Sequence, residues 1–311
     1  MKYCPITYEK ISEKEQYSLR GLKQLSPQLS ILKPLTFSAA EQRAEAIARA
    51  GKMSIQGVQI KLSAKLKIKE QHFEIVDQKG NYILKPQSEY YPELPENEAI
   101  SMTLAGTIGI EVPVHGLVYS KDKSMTYFIK RFDRTGHRDK LAVEDFAQLS
   151  HETRDTKYKS SMEKVAKILD FCTFPKIEAL KLFKLTLFNF LIGNEDMHLK
   201  NFSLITREKI ITLSPSYDLL NTTIVQANTK EEIALPINGR KNNLRKQDLI
   251  DYFGIQLLQI NPVVVNKVLN EIQLMLPEWK SLLSKSFLSQ SMQKKYLNLL
   301  DERCKRLGWI E

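Results

Sequence analysis

The chain has 311 residues, 42% of them apolar, and a net charge of +10 from 46 basic and 36 acidic side chains. That length supports a large buried core, and glycine and proline at 12 each exclude a fibrous repeat and a disordered chain. Three separated cysteines (Cys4, Cys172, Cys304), an amino terminus with no apolar secretory stretch, and no run near the roughly 18 apolar residues of a membrane span together predict a cytoplasmic protein without a membrane role.

Residues 1–36 are polar and carry prolines at 5, 27 and 34, which predicts an irregular leader packed on the body. Ser38 to Ala50 is rich in helix formers, Ser38 and Glu41 make a capping box, and Gly51 stops the helix. Short strands are expected over Val58–Ile68, Phe73–Val76 and Tyr82–Lys85, with Lys79-Gly80-Asn81 as a turn. Pro95–Ile110 reads as a helix, and Glu111–Tyr119 and Thr126–Phe132 as a strand pair, so the first 132 residues form a mixed sheet with one inserted helix. Beyond that point helical periodicity dominates, over Val143–Leu149, Ser161–Leu169, Ile177–Ile192 and Pro262–Arg306. One hairpin interrupts it, Phe202–Thr206 with Lys209–Leu213. The fold class is therefore α+β, with a bilobed protein-kinase-like layout. Residues 1–132 are expected to form a sheet-rich amino lobe and residues 133–311 a mainly helical carboxyl lobe.

The most informative stretch is Gly193 to Asn201, GNEDMHLKN, which follows a long apolar helix. Phosphoryl transfer needs a carboxylate to orient the attacking hydroxyl and oxygen ligands to hold magnesium on the phosphates. Asp196 and Asn201, five positions apart, have the spacing of a kinase catalytic loop. A turn rich in Asn and Asp is the plain alternative, but it needs fewer functional groups than these nine residues carry. Asp218, in SYDLL, suits a second magnesium ligand, although by itself it reads as a helix cap. Lys85, in YILKP at the end of an apolar strand, can reach the α- and β-phosphates, and Glu98 can pair with it, with Glu93 and Glu96 as nearby competitors. In MSIQGVQIK, backbone N–H groups around Gly57, Val58 and Gln59, with Lys61, can cover phosphates, but this is no Walker loop. In FIKRFDR, Phe132 can wall an adenine.

Taken together, SIQGVQIK, YILKP, the Glu98 helix, KRFDR, GNEDMHLKNFSLI and SYDLL resemble the HipA family of serine/threonine kinase toxins. The resemblance covers about residues 40 to 220 in family order. It implies an ATP- and Mg2+-dependent protein kinase with Asp196 as base, Asn201 and Asp218 as metal ligands and Lys85 on the phosphates. It places Lys61 behind the glycine-containing loop, His198 beside the nucleotide, and an autophosphorylation serine at Ser54. Lys130 departs from the acidic residue usual at the family's hinge. The chain is shorter than a full HipA, as in the HipT branch, which implies a HipS-like small protein and a HipB-like DNA-binding antitoxin as partners. It further implies an aminoacyl-tRNA synthetase as substrate, with no direct nucleic-acid binding by this chain. Two rival readings are a phosphoinositide-type lipid kinase and a catalytically inactive basic binding module.

Overall fold

The computed structural model describes residues 1–50, 59–135, 139–153, 155–226 and 230–310. They fall into two compact units.

The first unit comprises 1–100, 113–138 and 282–289. Its centre is a five-stranded sheet in the order β4-β3-β5-β7-β6, from Leu62–Lys67 (β3), His72–Ile75 (β4), Tyr82–Lys85 (β5), His115–Tyr119 (β6) and Met125–Lys130 (β7). All four pairings are antiparallel, a narrower result than the mixed sheet expected from sequence. Inward-facing Leu62, Ala64, Phe73, Tyr82, Leu84 and Phe128 build the core, and Phe73 sits 5.0 Å from Tyr82 and 5.2 Å from Phe128, ring centre to ring centre. The strand expected from Val58 begins at Leu62.

The leader is more ordered than its polarity predicts. It forms a two-residue strand pair, Lys2–Tyr3 (β1) with Lys10–Ile11 (β2), and a helix, Leu19–Leu25 (α1). Leu22, Leu25, Leu29, Leu32 and Leu35 are buried in the same core as the sheet, and Ser18 caps α1 by accepting from the Gly21 N–H at 3.0 Å. These leucines keep a 3-4-3-3 spacing, but Pro27 and Pro34 break any helix through it, and α1 ends at Leu25. The next helix, Ala39–Ala50 (α2), carries the expected capping box, with Ser38 N to Glu41 Oε2 at 2.7 Å and Glu41 N to Ser38 Oγ at 3.2 Å.

The helix Leu94–Thr107 (α3) begins in the first unit and ends in the second, which comprises 101–112, 139–281 and 290–311. Two-residue strands, Arg134–Thr135 (β8) and Asp139–Lys140 (β9), flank 136–138. The predicted helix over Val143–Leu149 is instead a strand, Ala142–Asp145 (β10), turning into one helical turn, Phe146–Leu149 (α4). The ladder of β10 with Ser203–Arg207 (β11) overrides the helical spacing of Val143, Phe146 and Ala147, and an Asp145–Gln148 capping box starts the turn. β11 pairs in turn with Ile210–Leu213 (β12), the expected hairpin.

Met162–Ile168 (α5) is capped by Ser161, and Pro175–Ile192 (α6) is apolar on nearly every side. A helix of that composition has to be central, and from Leu182 to Ile192 all but Lys184 are buried. A π-helix over Gln247–Leu257, not anticipated, precedes Pro262–Lys285 (α7) and Gln290–Arg306 (α8). Trp279 of α7 is fully buried, stacks edge-on to Phe188 at 5.5 Å and donates to Thr107 Oγ1 at 2.7 Å. Among the described residues no helix is long and apolar enough to cross a membrane.

Candidate active site

In the second unit the site starts where α6 stops. Gly193 takes a left-handed conformation (φ +70°). Its N–H donates to Phe190 O at 3.3 Å and that of Asn194 to Asn189 O at 2.9 Å, a paired helix-ending motif. A Cβ at Gly193 would stand 2.4 Å from Leu299 Cδ2, so this position needs glycine twice over. The chain then enters the 194–202 loop in a fixed direction.

That loop is tied to the segment after the hairpin. The Glu195 N–H donates to Thr222 Oγ1 at 2.7 Å, and the Thr223 hydroxyl donates to Glu195 Oε1 at 2.6 Å. Fully buried Asn194 donates to Asn189 Oδ1 at 2.8 Å and, more weakly, to the Asp218 carbonyl at 3.4 Å. The Tyr217 hydroxyl lies 3.0 Å from Lys200 O and 2.6 Å from Ser203 Oγ. Burial pushes this phenol well above its ordinary pKa, so it stays protonated. Asp218, held between these ties, has φ +54°, a left-handed backbone that Asp tolerates better than most residues.

Asp196 is partly exposed, with 45% of its side-chain surface accessible. Its Oδ1 accepts a short hydrogen bond from the Tyr158 hydroxyl, and its carbonyl accepts from Asn201 Nδ2 at 2.8 Å. His198 Nε2 lies 4.0 Å from the same Oδ1 and 2.7 Å from Lys157 Nζ. Burial lowers the His198 pKa, Asp196 and Asp218 act to raise it, and Lys157 acts to lower it. Asp196, His198, Asn201 and Asp218 are thus brought into one electrostatic neighbourhood.

The donor set suits a hard cation that shares its ligands with a substrate. Asn201 donates its amide nitrogen to the Asp196 carbonyl, and the side chains of Asn201 and Asp218 both carry oxygen of the kind such an ion takes. Among the described residues no group of three or more His, Cys, Asp and Glu side chains forms a metal cage. Magnesium held largely by phosphate and water needs none.

In the first unit Lys85 and Glu98 form a buried ion pair, Nζ to Oε1 2.5 Å, with side chains 2% and 0% exposed. The competing acids are engaged elsewhere. Glu96 accepts from Gln87 at 2.7 and 2.9 Å, with its carboxyl pushed up to about 7 by burial, and Glu93 accepts from the Ser289 N–H at 2.7 Å. Phe132 is partly buried in the turn after β7, beside a fork of Arg131 on Asp133 at 2.9 and 2.7 Å. Burial acts to raise the Asp133 pKa, but that guanidinium holds it below the usual carboxylate range. Lys61 is exposed and Gln59 partly buried, whereas Ser54, Gly57 and Val58 lie outside the described residues.

Sequence reading missed Lys157 and Tyr158. They sit in a polar stretch without periodicity, some 40 residues before the loop they touch, and no local signal marks them.

An antiparallel five-stranded sheet with an inserted helix, a helix-capped catalytic-type loop, a hairpin and a following Asp define a protein-kinase-like fold. Residues 53–279, more than two thirds of the chain, match the HipA-like C-terminal domain family, and the chain belongs to that family. A Haemophilus influenzae protein called "Putative kinase" is 29% identical over 321 residues, covering 93% of each chain. A Sinorhizobium fredii protein of the same description, Y4dM, is 36% identical over 194 residues, which is 57% of this chain and 47% of that one. Among solved structures, a chain of the HipA, HipB and operator DNA complex of Shewanella oneidensis superposes with a TM-score of 0.71 at 20% identity, covering 96% of this chain and 80% of that chain. The Helicobacter pylori proinflammatory kinase CtkA gives 0.52 at 16% identity, over 73% of this chain and 87% of that chain. At these identities the two structures show the fold.

Proposed function

We propose that the chain is an ATP- and magnesium-dependent serine/threonine protein kinase and acts as the toxin of a toxin–antitoxin pair. The observation that carries this reading is the Asp196 loop: a partly exposed carboxylate, braced through its backbone by Asn201, with Asp218 tied alongside. In the reaction, the acceptor hydroxyl oxygen bonds to the γ-phosphorus while the bond from that phosphorus to the β-bridging oxygen breaks. ADP leaves, and the hydroxyl proton passes to Asp196. Bound magnesium neutralises charge on the phosphates; Asn201 and Asp218 would hold it. Lys85, set by Glu98, contacts the α- and β-phosphates, and residues 53–61 cover them. Phe132 walls the adenine, and His198 stands beside the nucleotide. Residues 1–132 act as the nucleotide lobe and 133–311 as the catalytic lobe.

The metal assignment has its own test. Asp218→Ala is expected to weaken ATP binding about tenfold or more in magnesium and little in EDTA, by calorimetry. Equal weakening in both would make Asp218 a structural residue.

The partner and substrate reading draws on the Shewanella complex, which pairs HipA with HipB, and on the family resemblance. It assigns a HipB-like antitoxin, a HipS-like small protein as in the HipT branch, an aminoacyl-tRNA synthetase as substrate, and Ser54 as the autophosphorylated residue. Expression of this chain alone is expected to arrest growth, and co-expression of the small neighbouring reading frames to relieve it. A chain that is harmless by itself removes the toxin role. Mass spectrometry after incubation with magnesium-ATP tests Ser54, which stays unmodified if its assignment is wrong.

A further inference from the structure

Two adjacent side chains grip the loop that carries Asp196 and His198. The Tyr158 hydroxyl donates to Asp196 Oδ1, and its ring stands edge-on to the His198 imidazole at 5.0 Å and 85°. Lys157 places Nζ 2.7 Å from His198 Nε2 and 4.9 Å from the Tyr158 ring centre. The backbone joins in, with the Leu199 N–H donating to Lys157 O at 3.3 Å. Three hydrogen bonds and one ring contact thus run from one dipeptide to Asp196, His198 and Leu199.

Each link has a chemical consequence. A carboxylate has two oxygens, and a hydroxyl held on Oδ1 stops rotation about the Cβ–Cγ bond, so Oδ2 keeps one direction. A lysine ammonium donates and does not accept. The Nε2 of His198 therefore accepts from Lys157, which puts the ring proton on Nδ1. His198 is 5% exposed and its Nδ1 is buried without a hydrogen-bond partner. A buried N–H with no acceptor costs free energy unless a ligand supplies one, and an anionic oxygen is the natural complement.

We infer that Lys157 and Tyr158 are the positioning residues of this loop: Tyr158 fixes the Asp196 carboxylate so that Oδ2 meets the acceptor hydroxyl, and Lys157 holds His198 as the Nδ1–H tautomer that donates to a phosphate oxygen. The inference rests on the kinase reading of Asp196. Neither side chain need touch the reacting atoms; both act through neighbours that do. Tyr158 is 42% exposed, so the loss of its hydroxyl leaves the core intact.

The test pairs kinetics with a tautomer measurement on the full chain. With magnesium-ATP and dephosphorylated casein as acceptor, Tyr158→Phe is expected to lower kcat about ten- to hundredfold with the KM for ATP within twofold. Its melting temperature should stay near that of the parent. In an Asp196→Asn background the same change should add little further loss, because the two act as a unit. Independently of turnover, imidazole 15N shifts should place the His198 proton on Nδ1, and Lys157→Met should release it to Nε2. A Tyr158→Phe enzyme with unchanged kcat, a loss confined to KM, or a parent His198 protonated on Nε2 would overturn the inference. Casein transfer that survives Asp196→Asn would instead remove Asp196 as the base, and no casein transfer by the parent chain would sink the kinase reading, whatever Tyr158 does.

Discussion

Asp196→Asn is expected to reduce phosphate transfer by roughly 10²–10⁴-fold while ATP binding survives. The substitution keeps the size of the side chain and removes its negative charge and its capacity to take a proton. Asn can still accept the Tyr158 hydroxyl through its amide oxygen, and the Asn201 amide bonds to the backbone carbonyl of residue 196, which the change leaves alone. The loop should therefore hold its shape, and the loss should fall on kcat. Calorimetry gives the ATP affinity and a labelled-phosphate assay gives the transfer rate. Most of the rate retained, or both quantities lost together, would show that this carboxylate is not the base.

The second large effect is expected at the buried pair in the first unit. Lys85→Ala takes the cation from a fully buried Glu98, and breaking such a pair on one side costs about 3–5 kcal/mol. The denaturation midpoint should fall accordingly. Replacing both members, Lys85→Met with Glu98→Leu, should recover most of that stability, because no buried charge is left without its counter-ion. Nucleotide affinity should stay low in the double variant if Lys85 contacts phosphate. Recovery of stability and ATP binding together would make the pair purely structural. A small stability loss in Lys85→Ala would mean that Glu98 is held by other groups.

These two sites were legible in sequence to different depths. The Asp196 loop gathers its polar and charged groups into nine consecutive residues behind a long apolar helix, so it stands out as a candidate without tertiary knowledge. Lys85 could be found, but its partner could not be fixed, because Glu93, Glu96 and Glu98 crowd one helix start. Helix phase decides the matter: residues two apart point to different sides, which sends Glu96 to Gln87 and leaves Glu98 for Lys85. The leader's leucines are regularly spaced, but the prolines at 27 and 34 interrupt the helix that such spacing would mark. Val143–Leu149 has helical spacing, yet pairing with β11 made a strand of its first part, a non-local contact that no window over that segment contains. Lys157 and Tyr158 failed for the same reason.

Transfer of the γ-phosphate of ATP onto a protein hydroxyl is tested with the purified chain. It is incubated with γ-labelled ATP, magnesium and a cell extract, and the labelled species is identified. The expected result is label on a protein, at serine or threonine, that disappears when EDTA is added. Label in a lipid fraction, or no label from a folded chain that binds ATP, would contradict it.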